Sequence, residues 1–465
     1  MKKIWLKLVL GVSMVFTSVS CTKFIEINPI EQIPSQFVLN NSKNVEAVLI
    51  SAYSNVASGG FLGFNVPVYA ELIGDNIALN EIAFSATDFT GQIAFRNTNI
   101  LNKDIDNLWQ TAYRAIAAAN TVIDVVDNNR ITDGTPATTQ QRWKAEALFI
   151  RAVAHFELTR FFSKPFSDGN GANLGIPLRI KYLVADDKIS RSTVAEVYNQ
   201  VIADLQAAIS GLPTTNGNRA TSWAARGYLV RVLFDKRDYA GVVTAGNSFP
   251  GPFGFTGGAY SSFRNTGNVP ANAGVVFQLV NGGNPFGDFR PASVKYSISQ
   301  GAGSLKEALD ASGTNDFRAG INGVVANSDR FYSLKWDANL INVPVVRLAE
   351  VTLSTAESAA QTNNLTLASN AYNAVRGFNV TPYTPVTFTT QAAALDAIRK
   401  ERRLELMFEG DRYHELRRLQ TPLMSEVKNG ANVIRPAVPY NSNKLLLKIP
   451  VSETSGNNAI VQNPD

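Results

Sequence analysis

The chain has 465 residues, 45% of them hydrophobic and 17% charged, the make-up of a globular protein with a large core. Single cores stop growing at roughly 250–300 residues, so two lobes or a run of repeating units are expected. The formal charge is +5, but setting aside Lys2, Lys3 and Lys7 leaves 40 basic against 38 acidic residues, and no whole-chain basic field remains to attract nucleic acid.

The first segment is a leader. "MKKIWLK" is basic, and "LVLGVSMVFTSV" is an apolar run of 12 residues. That run is shorter than the roughly 20 helical residues that span a bilayer. Ser20 and Cys21 follow, and Cys21 is the only cysteine. The layout resembles a bacterial lipoprotein signal, with residues 1–20 removed and Cys21 acylated as the new N-terminus. Stable anchoring takes more than one acyl chain, a demand that a multiply acylated cysteine meets. The mature chain would then have no thiol for disulfides, thiolate catalysis or metal binding. No other stretch of 18 apolar residues occurs, so a soluble, tethered body is expected.

Further along, "GGFLGFNVPVYAELIGDN" (59–76) and "FTGQIAFRNTNILN" (89–102) read as loops rich in Gly, aromatic and Asn residues. Ile105, Leu108, Trp109, Ala112, Ile116, Ala119, Ile123 and Val126 then recur in steps of three and four, which predicts a long amphipathic helix from about Asn102. "WKAEALFIRAVAHFELTRFF" (143–162) interleaves small and large residues and predicts a helix packed on several sides. It ends at the Pro- and Gly-containing "SKPFSDGNGANLGIP".

"TSWAARGYLVRVLFDKRDYAGVVTAGNSF" (221–249) reads as helix, turn at Asp235–Asp238, helix, with Thr221 or Ser222 as cap. "VVRLAEVTLSTAESAAQTNNLTLASNAYNAVRGF" (345–378) repeats that layout, and both pairs resemble tetratricopeptide units without a strict 34-residue period. Residues 247–303 differ. Nine glycines fall between Gly251 and Gly287, "GVVFQLVN" (274–281) is a short strand, and the rest reads as an aromatic-rich functional loop.

The densest charge cluster is "IRKERRLELMFEGDRYHELRRLQ" (398–420). "HELRR" begins like a zinc-protease HExxH motif but has Arg418 in place of the second histidine, and His155 is the only other histidine in the chain. No Walker A, GxGxxG or GxSxG pattern occurs, and nothing singles out a carboxylate pair for glycoside hydrolysis. The spacing of Glu401, Arg402 and Glu405 predicts exposed intrahelical ion pairs. Gly410 fits a left-handed helix end, and Asp411 fits the cap of a second helix through about Leu419. The stretch therefore reads as an ion-paired structural corner.

At these residues the chain resembles the SusD/RagB family of nutrient-binding outer-membrane lipoproteins. "ERRLELMFEGDRYHELRRL" is similar to the family's late signature. "WKAEALFIRAVAHFELTRFF", "PVVRLAEVTLSTAESA" and "NLWQTAYRAIAAANTVID" are similar to family helices. "NDFRAG", "FYSLKW", the start "CTKFIEINP" and the ending "LLLKIPVSETSGNNAIVQNPD" fall in family order. The resemblance implies a mainly α fold, with tetratricopeptide-like helix pairs in an α-α superhelix supporting a loop-rich lobe with a few short strands. It further implies a signal peptide at 1–20, a helical region at 21–246, and a second region with the loop-rich insert and closing helices at 247–465.

The resemblance also implies a lipid-anchored outer-membrane protein that faces outward, binds an oligosaccharide or other nutrient, and caps a SusC-like TonB-dependent transporter. It implies no catalysis, no cofactor, no metal and no nucleic acid. Import of peptides or other oligomers, and a tetratricopeptide-like protein-binding scaffold, are the alternative roles. Sugars stack on aromatic rings and bond to Arg, Asn and Asp, so Phe95, Arg96, Asn97, Tyr260, Phe263 and Arg264 are the expected ligand contacts.

Overall fold

A computed structural model of the chain describes residues 39–80, 85–182, 188–247, 249, 253–255, 274–280, 284, 286–289, 295–320, 322–324, 330–428 and 432–465. Cys21, Tyr260, Phe263 and Arg264 lie outside the described residues, as does the leader.

The N-terminal part runs α1 (Ser42–Ala57), α2 (Asn65–Ile73), β1 (Ile77–Leu79), α3 (Phe89–Ala94), α4 (Lys103–Asp127), α5 (Ala137–Phe162), β2 (Leu174–Pro177), β3 (Arg191–Thr193), α6 (Val194–Gly211), α7 (Ser222–Asp235) and α8 (Tyr239–Asn247). Next come β4 (Val275–Leu279), β5 (Tyr296–Ile298), α9 (Leu305–Ala311), α10 (Phe317–Gly320), β6 (Asn322–Val324), β7 (Phe331–Ser333) and β8 (Val343–Arg347). The chain closes with α11 (Leu348–Gln361), α12 (Leu365–Asn379), α13 (Gln391–Glu405), α14 (Asp411–Arg418), β9 (Glu426–Lys428), β10 (Asn432–Arg435) and α15 (Val451–Gly456). The fold is mainly helical, as the sequence predicts, and the strands form two-stranded antiparallel pairs.

The helices stack in order. α1 lies on α4, α4 on α5, α5 on α6, α6 on α7, α7 on α8, α8 on α11, and α11 on α12. Each helix covers the apolar face of its neighbour, which is how helix-pair repeats build a continuous core. α4 starts where Asn102 caps it, its side chain accepting from the amides of Asp104 and Ile105, and its predicted apolar stripe is buried. α5 is enclosed on all sides, every residue from Ala145 to Thr159 being buried. Its charged residues are therefore paired internally. Arg151 makes two 2.8 Å bonds to Asp204 of α6 and one of 2.9 Å to Asn120 of α4, tying three helices together. Thr221 caps α7 by accepting from Ala224 N, and Arg237 turns the chain into α8.

Three sequence expectations are corrected. Residues 59–76 are not a ligand loop. Asn65–Ile73 form a wholly buried helix, and Phe61 is fully buried ahead of it, so the glycines there permit close packing rather than display. In the 345–378 segment the first helix begins at Leu348, because Val345–Arg347 belong to β8, whose Val343 and Arg347 face Leu279 and Val275 of β4.

The third correction concerns the charged corner, which joins two helices as expected but is buried rather than exposed. Glu401 and Glu405 do not pair along their own helix. Glu405 accepts from Arg347 NH1 at 2.9 Å, Asn379 Nδ2 at 2.9 Å and Arg318 NH1 at 3.3 Å, and Glu401 accepts from Arg318 NH2 at 3.0 Å. Arg402 instead grips Asp411 across the corner at 2.9 and 2.6 Å. Arg418 holds Glu357 of α11 with two bonds of 3.0 Å. Gly410, not Asp411, occupies the cap position, at φ 83°, and an added Cβ would sit 2.9 Å from Pro67 Cα. Only glycine meets both the left-handed backbone and the close approach of α2.

Candidate ligand-binding face

β10 lies against α2 and α3, Arg435 donating to Leu72 O at 2.5 Å and to Ala94 O at 3.3 Å. β1 pairs with β5, Ile77 opposite Ile298 and Leu79 opposite Tyr296. β5 neighbours β7, which pairs with β6. Glu426 of β9 accepts from Leu79 N at 2.8 Å, and Arg435 of β10 donates to Ile77 O at 3.0 Å. Strands far apart in sequence thus join at residues 77–79, ahead of the segment 85–102 that carries α3.

Phe89 and Asn97 are exposed on that segment, and Phe95, Phe331 and Tyr332 are half-buried. α3 forms because Asp88 caps it, accepting from Gly91 N at 2.5 Å and from Ser85 N at 3.0 Å. Asn102 pins the other end, donating to Phe89 O at 2.8 Å and to Gln92 Oε1 at 2.9 Å. Phe89 is therefore displayed from a fixed backbone. Lys306 Nζ lies 4.4 Å from the Phe331 ring centre, a cation held over one aromatic face.

Below this surface Tyr296 is buried, and burial with the charges of Asp288 and Asp88 pushes its phenol well above the ordinary value. It stays a neutral hydroxyl at physiological pH. Asp288 is paired with Lys295 at 2.8 Å. Among the described residues Asp88 caps α3 and Asp288 is ion-paired, while Phe89 and Asn97 are exposed. Exposed aromatic and amide groups of this kind can stack on and hydrogen-bond to a sugar.

The predicted contacts divide. Phe95 is half-buried and Asn97 is exposed at the surface just after α3. Arg96 does not reach it. At φ 57° its side chain turns into the core, where it donates to Ile73 O at 3.0 Å, Pro436 O at 3.1 Å and Gly74 O at 3.2 Å. Its job is to hold three carbonyls. Phe89, Phe331 and Tyr332 were not among the expected contacts. Phe89 opens the segment singled out in the sequence, but Phe331 and Tyr332 come from "FYSLKW", where alternation gave no hint of the neighbouring strand.

A second hollow lies inside the corner, about 60 Å³ in volume, lined by Glu157, Arg160, Arg231, Glu350, Glu409, Asp411 and His414 among others. It is room for a water or two rather than an oligosaccharide, which needs several hundred Å³. Its charges are matched, Arg231 to Glu350 at 2.6 Å and Glu409 to Arg347 at 2.7 Å. His414 is buried against Phe161, and burial together with Arg160 and Arg417 depresses its pKa, so the imidazole is neutral. Among the described residues no group of three His, Cys, Asp or Glu side chains is placed to hold a metal ion.

Comparison with known proteins agrees with this architecture. A family model described as "Starch-binding associating with outer membrane" matches residues 23–234, and one described as "SusD family" matches residues 292–465. The "SusD-like protein P2" of Formosa agariphila is 26% identical over 240 residues, spanning 49% of this chain and only 42% of that protein. The crystal structure of a SusD superfamily protein from Bacteroides thetaiotaomicron superposes with a TM-score of 0.79 at 22% identity, covering 91% of this chain and 99% of that one. That of a SusD-like carbohydrate binding protein from Bacteroides vulgatus gives 0.73 at 20% identity, covering 90% and 97%.

Proposed function

The chain belongs to the SusD family, whose members bind carbohydrate in association with the outer membrane, and on that premise we propose that it captures an oligosaccharide at the cell surface and delivers it to a SusC-like TonB-dependent transporter. The observation that carries glycan binding is the exposed ring of Phe89, which shares the segment 85–102 with the exposed amide of Asn97. Aromatic faces take the apolar face of a pyranose, and amides satisfy its hydroxyls. The protein binds without cleaving; among the described residues Asp88 and Asp288 are engaged in capping and pairing. Acylation at Cys21 tethers it to the outer membrane, facing outward, and the transporter lies beneath it. No described helix is long and apolar enough to cross a membrane, which leaves the lipid as the anchor in this account.

The experiment is isolation of the natively anchored protein from detergent-solubilised outer membranes. A large β-barrel transporter should co-purify with it, and a Cys21→Ala variant should leave the membrane fraction. Recovery of the anchored protein alone, under conditions that preserve other membrane complexes, would defeat the transporter assignment.

A further inference from the structure

Away from the face built on α3, the start of α7 carries Trp223 and Arg226, both half-buried. The Trp223 ring centre lies 5.4 Å from that of Phe249 and 6.3 Å from that of Phe253, and the two phenyl rings are 5.8 Å apart. All three rings pack on the core yet remain partly open to solvent. The guanidinium carbon of Arg226 lies 5.8 Å from the Trp223 ring centre.

Arg226 is oddly alone. Its Nε is buried without a hydrogen-bond partner, and among the described residues it makes no ion pair. Five residues on, Arg231 is matched to Glu350 at 2.6 Å. No acid stands in the first turn of α7 to offset the charge. A guanidinium partly withdrawn from water is ordinarily paired, because its lost hydration is otherwise uncompensated. Here a cation without a counter-charge sits beside Trp223, whose ring in turn meets those of Phe249 and Phe253.

We propose that Trp223, Arg226, Phe249 and Phe253 form a second glycan site, which takes a sugar ring bearing an anionic group, either the carboxylate of a uronic acid or a sulfate ester. The ring stacks on the aromatic cluster, and the planar guanidinium fork pairs with the anion. The inference rests on the glycan-binding reading and adds a charge preference to it.

Tryptophan emission reports on this site selectively. Trp109, Trp143 and Trp336 are buried at 1–3% exposure, and Trp5 lies in the leader. The purified mature chain is titrated with an oligogalacturonide, a sulfated galacto-oligosaccharide and a neutral cello-oligosaccharide of equal length. At least one acidic probe should change the emission saturably, more weakly at high salt, and the neutral probe should not. Whichever acidic probe acts identifies the anion. Arg226→Gln should weaken that binding at least tenfold at unchanged melting temperature, and Arg226→Lys should retain part of it. Wild-type affinity in Arg226→Gln overturns the proposal. So does failure of both acidic probes while another oligosaccharide still binds in a Phe89-dependent manner, an outcome that leaves the glycan-binding reading intact. If no oligosaccharide binds at all, both readings fall.

Discussion

Arg347 donates to both carboxylate oxygens of Glu409, each bond 2.7 Å long, and so ties the end of β8 to the turn between α13 and α14. Lys335 reaches the same carboxylate and also donates to Glu405 O at 2.9 Å and Met407 O at 2.8 Å. The most charged stretch of the chain thus serves as the joint between the helical stack and the strands.

Glu409→Ala should be strongly destabilising, since it leaves Arg347 and Lys335 buried without their shared counter-charge. Removing one partner of a buried pair costs about 3–5 kcal/mol. Denaturant titration should show that loss, while the folded fraction keeps wild-type ligand affinity. Lost affinity at unchanged stability would mean that the corner belongs to a binding site.

Gly410→Val should also destabilise. The left-handed backbone costs a side chain about 1–3 kcal/mol, and the contact with Pro67 adds crowding between α2 and the turn. A melting temperature equal to wild type would show that α2 yields without cost.

Glu71 predicts a pH dependence. Its Oε1 accepts from Gly410 N at 2.8 Å, and its buried Oε2 has no partner. Burial pushes the carboxyl up from 4.5 to about 8, although the Gly410 amide and Lys335 oppose the shift. Between those pH values the folded chain keeps a proton that the unfolded chain has lost. This contribution to stability is complete below the lower value and is lost as pH rises through the upper one. Glu71→Gln keeps a neutral group there, so it should melt near wild type at about pH 5 and above it at about pH 9. Calorimetry across that range checks the crossover, and a constant gap between the two proteins would contradict it.

Two residues of the segment 85–102 should behave oppositely. Phe89→Ala should weaken glycan binding roughly three- to tenfold, from about 0.5–1.5 kcal/mol of aromatic stacking, without changing the melting temperature. Arg96→Ala should lower the melting temperature, because the carbonyls of Ile73, Gly74 and Pro436 lose their donor. Paired calorimetric titrations and melts of the two variants separate these roles.

The helical stack was legible because its cores follow one period. The stripe from Ile105 to Val126 marked α4, and the alternation of small and large residues marked α5 as enclosed. The depth of the charged corner was not legible, because Arg318, Arg347 and Lys335 arrive from other elements and no local spacing announces them. The buried helix at Asn65–Ile73 was hidden by the glycines before and after it, which imitate a loop. The proposed ligand-binding face was half visible. Phe95 and Asn97 lie in a stretch whose composition suggested it, but Arg96 turns inward on a left-handed backbone, and Phe331 and Tyr332 lie on β7, a strand that no local pattern announced.

Calorimetric titration of the purified mature chain against a panel of neutral and acidic oligosaccharides, with each sugar recovered afterwards and weighed by mass spectrometry, tests the central claim most directly. At least one oligosaccharide should bind saturably, more weakly in Phe89→Ala, and be recovered intact. Binding of none of them, or recovery of shortened products, would contradict that claim.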